Sequence, residues 1–273
     1  MRPRQVLRPA RAVSAILAIA LTASAACGSR AAGQAPTELI VFAAASLRDA
    51  FTATAAEYRA TAPGVILTFS FDASSALRTQ IELGAPADAF ASADTVNPQA
   101  LVDGGYAVGP VAPFARNLLT IVVPLGNPAA IRDPRELARP GVRIVGAGEA
   151  VPISRYVDAC LERLALLPGF PAGYAAAVER NVVSREDNVR AALTKVELGE
   201  ADAAIVYVTD ARSSHNVETV AIPASANVEA TYGAVTARGS RHPVEAAAFV
   251  MWLTGPRGRA VLAPFGFLGP AGE

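Results

Sequence analysis

Several stretches of this sequence end an apolar run on small or hydroxyl residues and then switch to helical spacing. Ile40-Val41-Phe42 passes through three alanines to Ser46, after which Leu47, Phe51, Ala55 and Tyr58 fall on one helical face. The run 65–71 (VILTFSF) ends at Asp72-Ala73-Ser74-Ser75, where a second helix is predicted to begin. The run 142–146 ends in GAGEAVPISR, the loop REDN at 185–188 opens NVRAALTKVELG, and the run 203–208 carries Tyr207. At each helix start the first-turn N–H groups lack internal partners and form the positive end of the helix dipole. Serine and tyrosine hydroxyls add neutral donors. Such a set suits a small, dehydrated anion. A hydrogen bond to a charged group is worth roughly 1.5–3 kcal/mol, so about five of them bind tightly even after ordering costs. Few basic residues are near: Arg155 and Arg190 lie closest in sequence, on helices from which both can point outward.

Each residue also has a plainer reading. Serine is a favoured helix cap, and Ser46-Leu47-Arg48-Asp49 has the form of a capping box. Tyr207 alone reads as a core tyrosine. The anion reading rests on convergence, because ligands of open parallel sheets sit at the carboxyl ends of strands.

The elements that must bring these positions together alternate along the chain. Strands are predicted at 38–43, 65–71, 88–92, 118–124, 142–146, 203–208 and 228–237, and helices at 46–60, 74–83, 95–103, 154–166, 188–198 and 242–262. Apolar strands alternating with helices predict an α/β fold with mostly parallel sheets covered by helices. Two irregular stretches, YAVGPVAPFARN at 106–117 and IPASAN at 222–227, interrupt this pattern. Two such crossings take the chain from one lobe to a second and back. The expected division is lobe I at 38–114 and 223–273, lobe II at 115–222, with a cleft between them. The C-terminal helices, with Trp252, are expected to pack on lobe I.

The N-terminus is an export signal. Arg2, Arg4, Arg8 and Arg11 precede a short apolar core at 12–23, too short to span a bilayer. Residues 1–26 are assigned to the signal and 27–37 to a flexible tether. Cys27 follows Ala25-Ala26 as a lipidated cysteine would, and cleavage after Ala23-Ser24-Ala25 is the alternative. Either way the mature chain works outside the plasma membrane. The full chain has 24 basic and 24 acidic residues; without the signal's four arginines the balance is 20 against 24, a net charge of −4. That argues against nucleic acid and anionic membrane surfaces as partners. Two cysteines and two histidines cannot form the usual zinc cluster. Cys160, in RYVDACLERL, is expected to be buried and inert.

The runs VFAAASL, FDASSALRTQIELGAPADAFASAD (71–94), EDNVRAAL (186–193) and AIVYVTDA (204–211), in this order, closely resemble the periplasmic molybdate-binding proteins of ABC transporters. The resemblance extends from about residue 38 to about residue 268. It implies a type II periplasmic binding protein fold with two α/β lobes. It further implies capture of molybdate, with tungstate also accepted, and delivery to a membrane permease by a monomer without a cofactor; molybdenum enters only as the bound oxyanion. The family's ligand serines fall on Ser46 and Ser74, its backbone donors on Ile153 and Val189, and its tyrosine on Tyr207. There are departures. Asp72 stands where a small neutral residue is common, Ile153-Ser154 replaces a smaller pair, and the extra Asn188 lets Asn188 and Val189 trade places as donor. A carboxylate beside a dianion is repulsive, so Asp72 is expected to point away from the cleft.

Two other readings compete. Another oxyanion, such as sulfate, thiosulfate or phosphate, would use the same donors, and cavity radius decides between them. An exported serine hydrolase would use Ser46, but the sequence has no G-x-S-x-G and only His215 and His242 as bases.

Overall fold

The computed structural model describes residues 35–270. The signal segment, Cys27 and most of the tether lie outside the described residues. The chain runs through β1 (Thr37–Ala44), a 3-10 turn (Ala45–Leu47), α1 (Arg48–Thr61), β2 (Val65–Asp72), α2 (Ser74–Glu82), β3 (Ala89–Ser92), α3 (Val96–Asp103) and β4 (Ala107–Asn117). It continues through β5 (Leu119–Pro124), β6 (Ile144–Ala147), α4 (Pro152–Ala165), α5 (Tyr174–Arg180), β7 (Val182–Glu186), α6 (Val189–Glu197), β8 (Ala204–Tyr207), α7 (Val208–Arg212) and β9 (Val217–Val220). It closes with β10 (Ala230–Ala237), α8 (Pro243–Thr254) and α9 (Pro256–Leu262).

A five-stranded sheet has the order β2-β1-β3-β10-β4. Its strands β1, β2 and β3 pair in parallel, as strand–helix–strand connections require, and so do β6 and β7 elsewhere. The remaining pairs are antiparallel: β10 with β3 and β4, and β5 with β8 and β9. The five-stranded sheet is therefore mixed, while the sheet β8-β5-β9 is antiparallel and not mostly parallel as expected. Strand β10 is reached by a return from the second group of strands, not through a helical crossover, so no connection holds it parallel.

Residues 106–117, expected to be an irregular crossing, are mostly strand β4. Pro110 and Pro113 are tolerated because β4 is an edge strand, where a missing N–H breaks no ladder on the outer side. The pairing with β10 slips twice, between Tyr232 and Gly233 and between Ala234 and Thr236. The crossing at 222–227 is irregular, as expected. The short elements α5, α7, β7 and β9 carry too little periodicity to be predicted. The single helix expected at 242–262 divides at Gly255-Pro256, since a proline cannot continue the hydrogen-bond ladder but starts a helix well.

The core explains how the C-terminal helices are held. Phe51 of α1 is fully buried, with ring centroids 5.6 Å from Phe69, 6.2 Å from Phe114 and 6.3 Å from Phe249. Tyr58, one helical face further along, lies 5.2 Å from both Phe249 and Trp252 of α8. Such tilted aromatic pairs add about 0.5–1.5 kcal/mol each beyond burial. Helix α8 is thereby fixed on α1 and the five-stranded sheet. Cys160 is buried in α4, and burial pushes its thiol up to about 11, so it is an inert core group.

Candidate functional site

The residues expected to hold an anion line one small cavity. Its walls are Ala44, Ala45, Ser46, Asp72, Ala73, Ser74 and Ala93 on one side and Val151, Pro152, Ile153, Asn188, Val189 and Tyr207 on the other. The enclosed space is small, about 10 Å³. Toward solvent the cavity adjoins a broader cleft, which shares Asp72, Ala73, Val151 and Asn188 with it.

Each wall is made of helix starts. The alanine run through β1 ends in the 3-10 turn that holds Ser46, and alanines there keep the wall close to the cavity. Ser46 is buried, and its Oγ lies 2.9 Å from the Tyr232 hydroxyl. Ser74 is the first residue of α2, also buried, and its Oγ accepts the Ala93 N–H at 3.0 Å. Neither serine caps its helix. The capping-box reading of Ser46 and Asp49 therefore fails: Asp49 binds Arg190 instead, at 2.6 Å.

The second wall presents backbone. Val151 precedes α4, and Pro152 at the first helical position has no N–H, so Ile153 carries the first donor of that helix. At α6 the Asn188 side chain accepts from the N–H groups of Arg190 and Ala191, both at 3.1 Å. The cap thus takes the second and third donors of the helix and not the first, that of Val189. Asn188 acts as cap and Val189 faces the cavity as the uncapped position. Tyr207 ends β8 with 1% exposure, and among the described residues its hydroxyl has no hydrogen-bond partner. Burial, and then the neighbouring Tyr232, push its phenol well above the ordinary range, so it stays protonated and able to donate.

Among the described residues no basic side chain lines the cavity. Arg155 is bound to buried Asp94. Arg190 does not point outward but lies between Asp49 and fully buried Asp210, the latter at 2.5 Å. Neither His215 nor His242 lines the cavity.

Asp72 corrects one expectation. Its side chain does not turn away from the cleft but crosses it: Oδ1 accepts from the Ala73 N–H at 2.7 Å and from Asn188 Nδ2 at 3.1 Å. Strand alternation stops at the end of β2, and the bond to Ala73 in the turn re-aims the carboxylate. Sequence reasoning also missed Tyr232 and Asn117, which stand behind Ser46. Tyr232 lies on a predicted strand, but nothing in the sequence connects it to Ser46, 186 positions away.

The chain matches the bacterial extracellular solute-binding protein family over residues 39–268. It is 36% identical to the molybdate-binding protein ModA of Mycobacterium tuberculosis over 266 residues, covering 94% of this chain and 96% of that one. It is 32% identical to the molybdate-binding protein ModA of Escherichia coli, covering 84% of this chain and 88% of that one. The solved periplasmic molybdate-binding protein of Azotobacter vinelandii superposes with a TM-score of 0.71 at 22% identity, covering 85% of this chain and 99% of that one. The fold is that of the type II periplasmic binding proteins. Relatives of this kind bind solutes and are not enzymes, which removes the hydrolase reading of Ser46. Among the described residues no helix is long and apolar enough to cross a membrane. On the match over most of its length, this chain belongs to the bacterial extracellular solute-binding proteins.

Proposed function

We propose that the protein captures molybdate outside the cytoplasmic membrane and delivers it to the permease of an ABC transporter. The observation that carries this reading is the Tyr207 hydroxyl: buried, protonated, without a partner among the described residues, and on the wall of a cavity ringed by candidate donors. A buried hydroxyl without a partner costs about 1–3 kcal/mol, which a bound oxygen would recover. In this reading the hydroxyls of Ser46, Ser74 and Tyr207 and the N–H groups of Ile153 and Val189 each donate to an oxyanion. Its charge is held by neutral dipoles, with no cation on the wall. The names of the similar proteins in Mycobacterium tuberculosis and Escherichia coli support molybdate as the ion. Tungstate, with the same charge and tetrahedral shape, would bind as well.

The remaining parts of the reading follow from the same scheme. The lobes are 38–114 with 223–273, and 115–222, and they close over the ion. The protein is a monomer anchored to the membrane through lipid on Cys27. One observation favours a second ligand: Asp72 lines the cavity and can accept a hydrogen bond from a hydrogen-bearing anion such as hydrogen phosphate. Calorimetric titration of the mature chain with molybdate, tungstate, sulfate and phosphate separates these. One-to-one binding of molybdate and tungstate, undisturbed by excess phosphate, is expected. Tighter binding of phosphate than of molybdate would replace the proposal with the second reading.

A further inference from the structure

Behind Ser46 lies a line of buried polar side chains that the cavity itself does not touch. Asn117, at the end of β4, and Tyr232, on β10, are both fully buried, and Thr209 of α7 is nearly so. Asn117 Oδ1 accepts the Leu118 N–H at 3.0 Å. A backbone N–H only donates, which fixes which end of the amide is oxygen. The Nδ2 group then donates to Thr209 Oγ1 at 2.8 Å and to the Tyr232 hydroxyl oxygen at 3.3 Å. With its oxygen accepting from Asn117, Tyr232 has one proton left, and Ser46 Oγ is 2.9 Å away to take it. With Tyr232 as the donor of that pair, Ser46 is its acceptor, and the Ser46 proton has the cavity to point into.

We infer that Asn117 and Tyr232 are positioning residues that fix the direction of the Ser46 proton, so that Ser46 meets the ligand as a donor. This deepens the proposed function and rests on Ser46 being a ligand residue. The order of donation runs one way, from Asn117 through Tyr232 and Ser46 to the cavity. Each bond polarises the next. Burial pushes the Tyr232 phenol well above its ordinary range, so its proton is not lost. A Ser46 held in this way spends one of its two lone pairs on Tyr232 and keeps its proton for the ligand.

The test is a double-mutant cycle on molybdate affinity, measured by calorimetry on the mature chain with Ser46→Ala, Tyr232→Phe and both together. The phenylalanine keeps the ring contacts of Tyr232 with Phe114, Tyr207 and Phe267, so the fold should persist. Tyr232→Phe is expected to weaken binding about fivefold in the native background, the scale of one neutral hydrogen bond. In the Ser46→Ala background it should change affinity by less than about twofold, because nothing remains for it to orient. An equal loss in both backgrounds, or no loss in either, overturns the relay while leaving the site reading intact. If Ser46→Ala alone leaves molybdate affinity unchanged, the site reading fails and the relay with it.

Discussion

The two walls of the cavity offer the same kind of donor by different means. The first wall, from β1, β2 and their helix starts, presents side-chain hydroxyls, Ser46 and Ser74, each tied to a neighbour by its oxygen. The second wall, from the starts of α4 and α6, is lined by the apolar residues Ile153 and Val189, whose N–H groups are the proposed donors, and by Tyr207 with its hydroxyl. The difference decides what mutation can reach. A side-chain donor is lost with its side chain, whereas a backbone donor survives every substitution except proline. It also decides what a sequence reveals, since an isoleucine or valine carries no sign that its N–H is the functional group.

The largest expected effects are on the hydroxyls. Ser46→Ala, Ser74→Ala and Tyr207→Phe should each weaken molybdate binding roughly ten- to a hundredfold, the worth of a charge-assisted hydrogen bond of about 1.5–3 kcal/mol. Because neither serine caps a helix, melting temperature should fall little with Ser46→Ala. It should fall somewhat more with Ser74→Ala, which orphans the Ala93 N–H. Near-native affinity in all three would dissolve the first half of the comparison.

The backbone wall is tested by a contrast at one position. Val189→Ala should leave affinity within about threefold, since only packing changes. Val189→Pro removes the N–H at the first helical position, where proline fits and the extended Asn188 before it is compatible. It should cost about tenfold or more in affinity, on the scale of a serine substitution, with circular dichroism and melting temperature close to native. Equal affinity in the two variants would show that Val189 donates nothing.

A smaller effect concerns the charge shared by both walls. Asp72→Asn keeps an oxygen for the Ala73 N–H and Asn188 but removes the negative charge. Molybdate affinity should rise about fivefold, or about 1 kcal/mol, the interaction of unit charges about 4 Å apart in water. A loss of affinity instead, with phosphate binding lost as well, would mean that Asp72 accepts a proton from the ligand.

A last effect, on stability and not on affinity, lies behind the second wall. Burial, only partly offset by Arg190, raises the Asp210 carboxyl from its ordinary 3.8 to about 6. A carboxyl raised on folding contributes stability that is complete below its unfolded value and is lost as pH rises through the folded one. Relative to Asp210→Asn, the native protein should therefore lose stability between about pH 4 and pH 6. Parallel melting curves across that range would show that Arg190 keeps the carboxylate ionised.

The first wall was the more legible in sequence. Hydrophobic runs stopping at Ser46 and Ser74 mark strand ends and helix starts with local residues, and the two serines line the same cavity. The plain reading of each as a cap failed because the helix starts sit at an interior face, where the hydroxyls find Tyr232 and Ala93 instead of their own first turns. On the second wall only Tyr207 was visible from residue type; Ile153 and Val189 came through resemblance. Strand β4 was hidden by Pro110 and Pro113, which argue against a strand unless its edge position is known. With β4 unseen, Asn117 and its link to Ser46 through Tyr232 had no basis. Asp72 was misjudged because alternation along β2 does not continue through the turn that follows.

The most direct test of the central claim is diffraction from crystals grown with molybdate, collected on both sides of the molybdenum absorption edge. A single anomalous peak is predicted in the cavity, with ligand oxygens in hydrogen-bond reach of Ser46 Oγ, Ser74 Oγ, Tyr207 Oη and the Ile153 and Val189 N–H groups. A peak elsewhere, or none at saturating molybdate, would contradict the account.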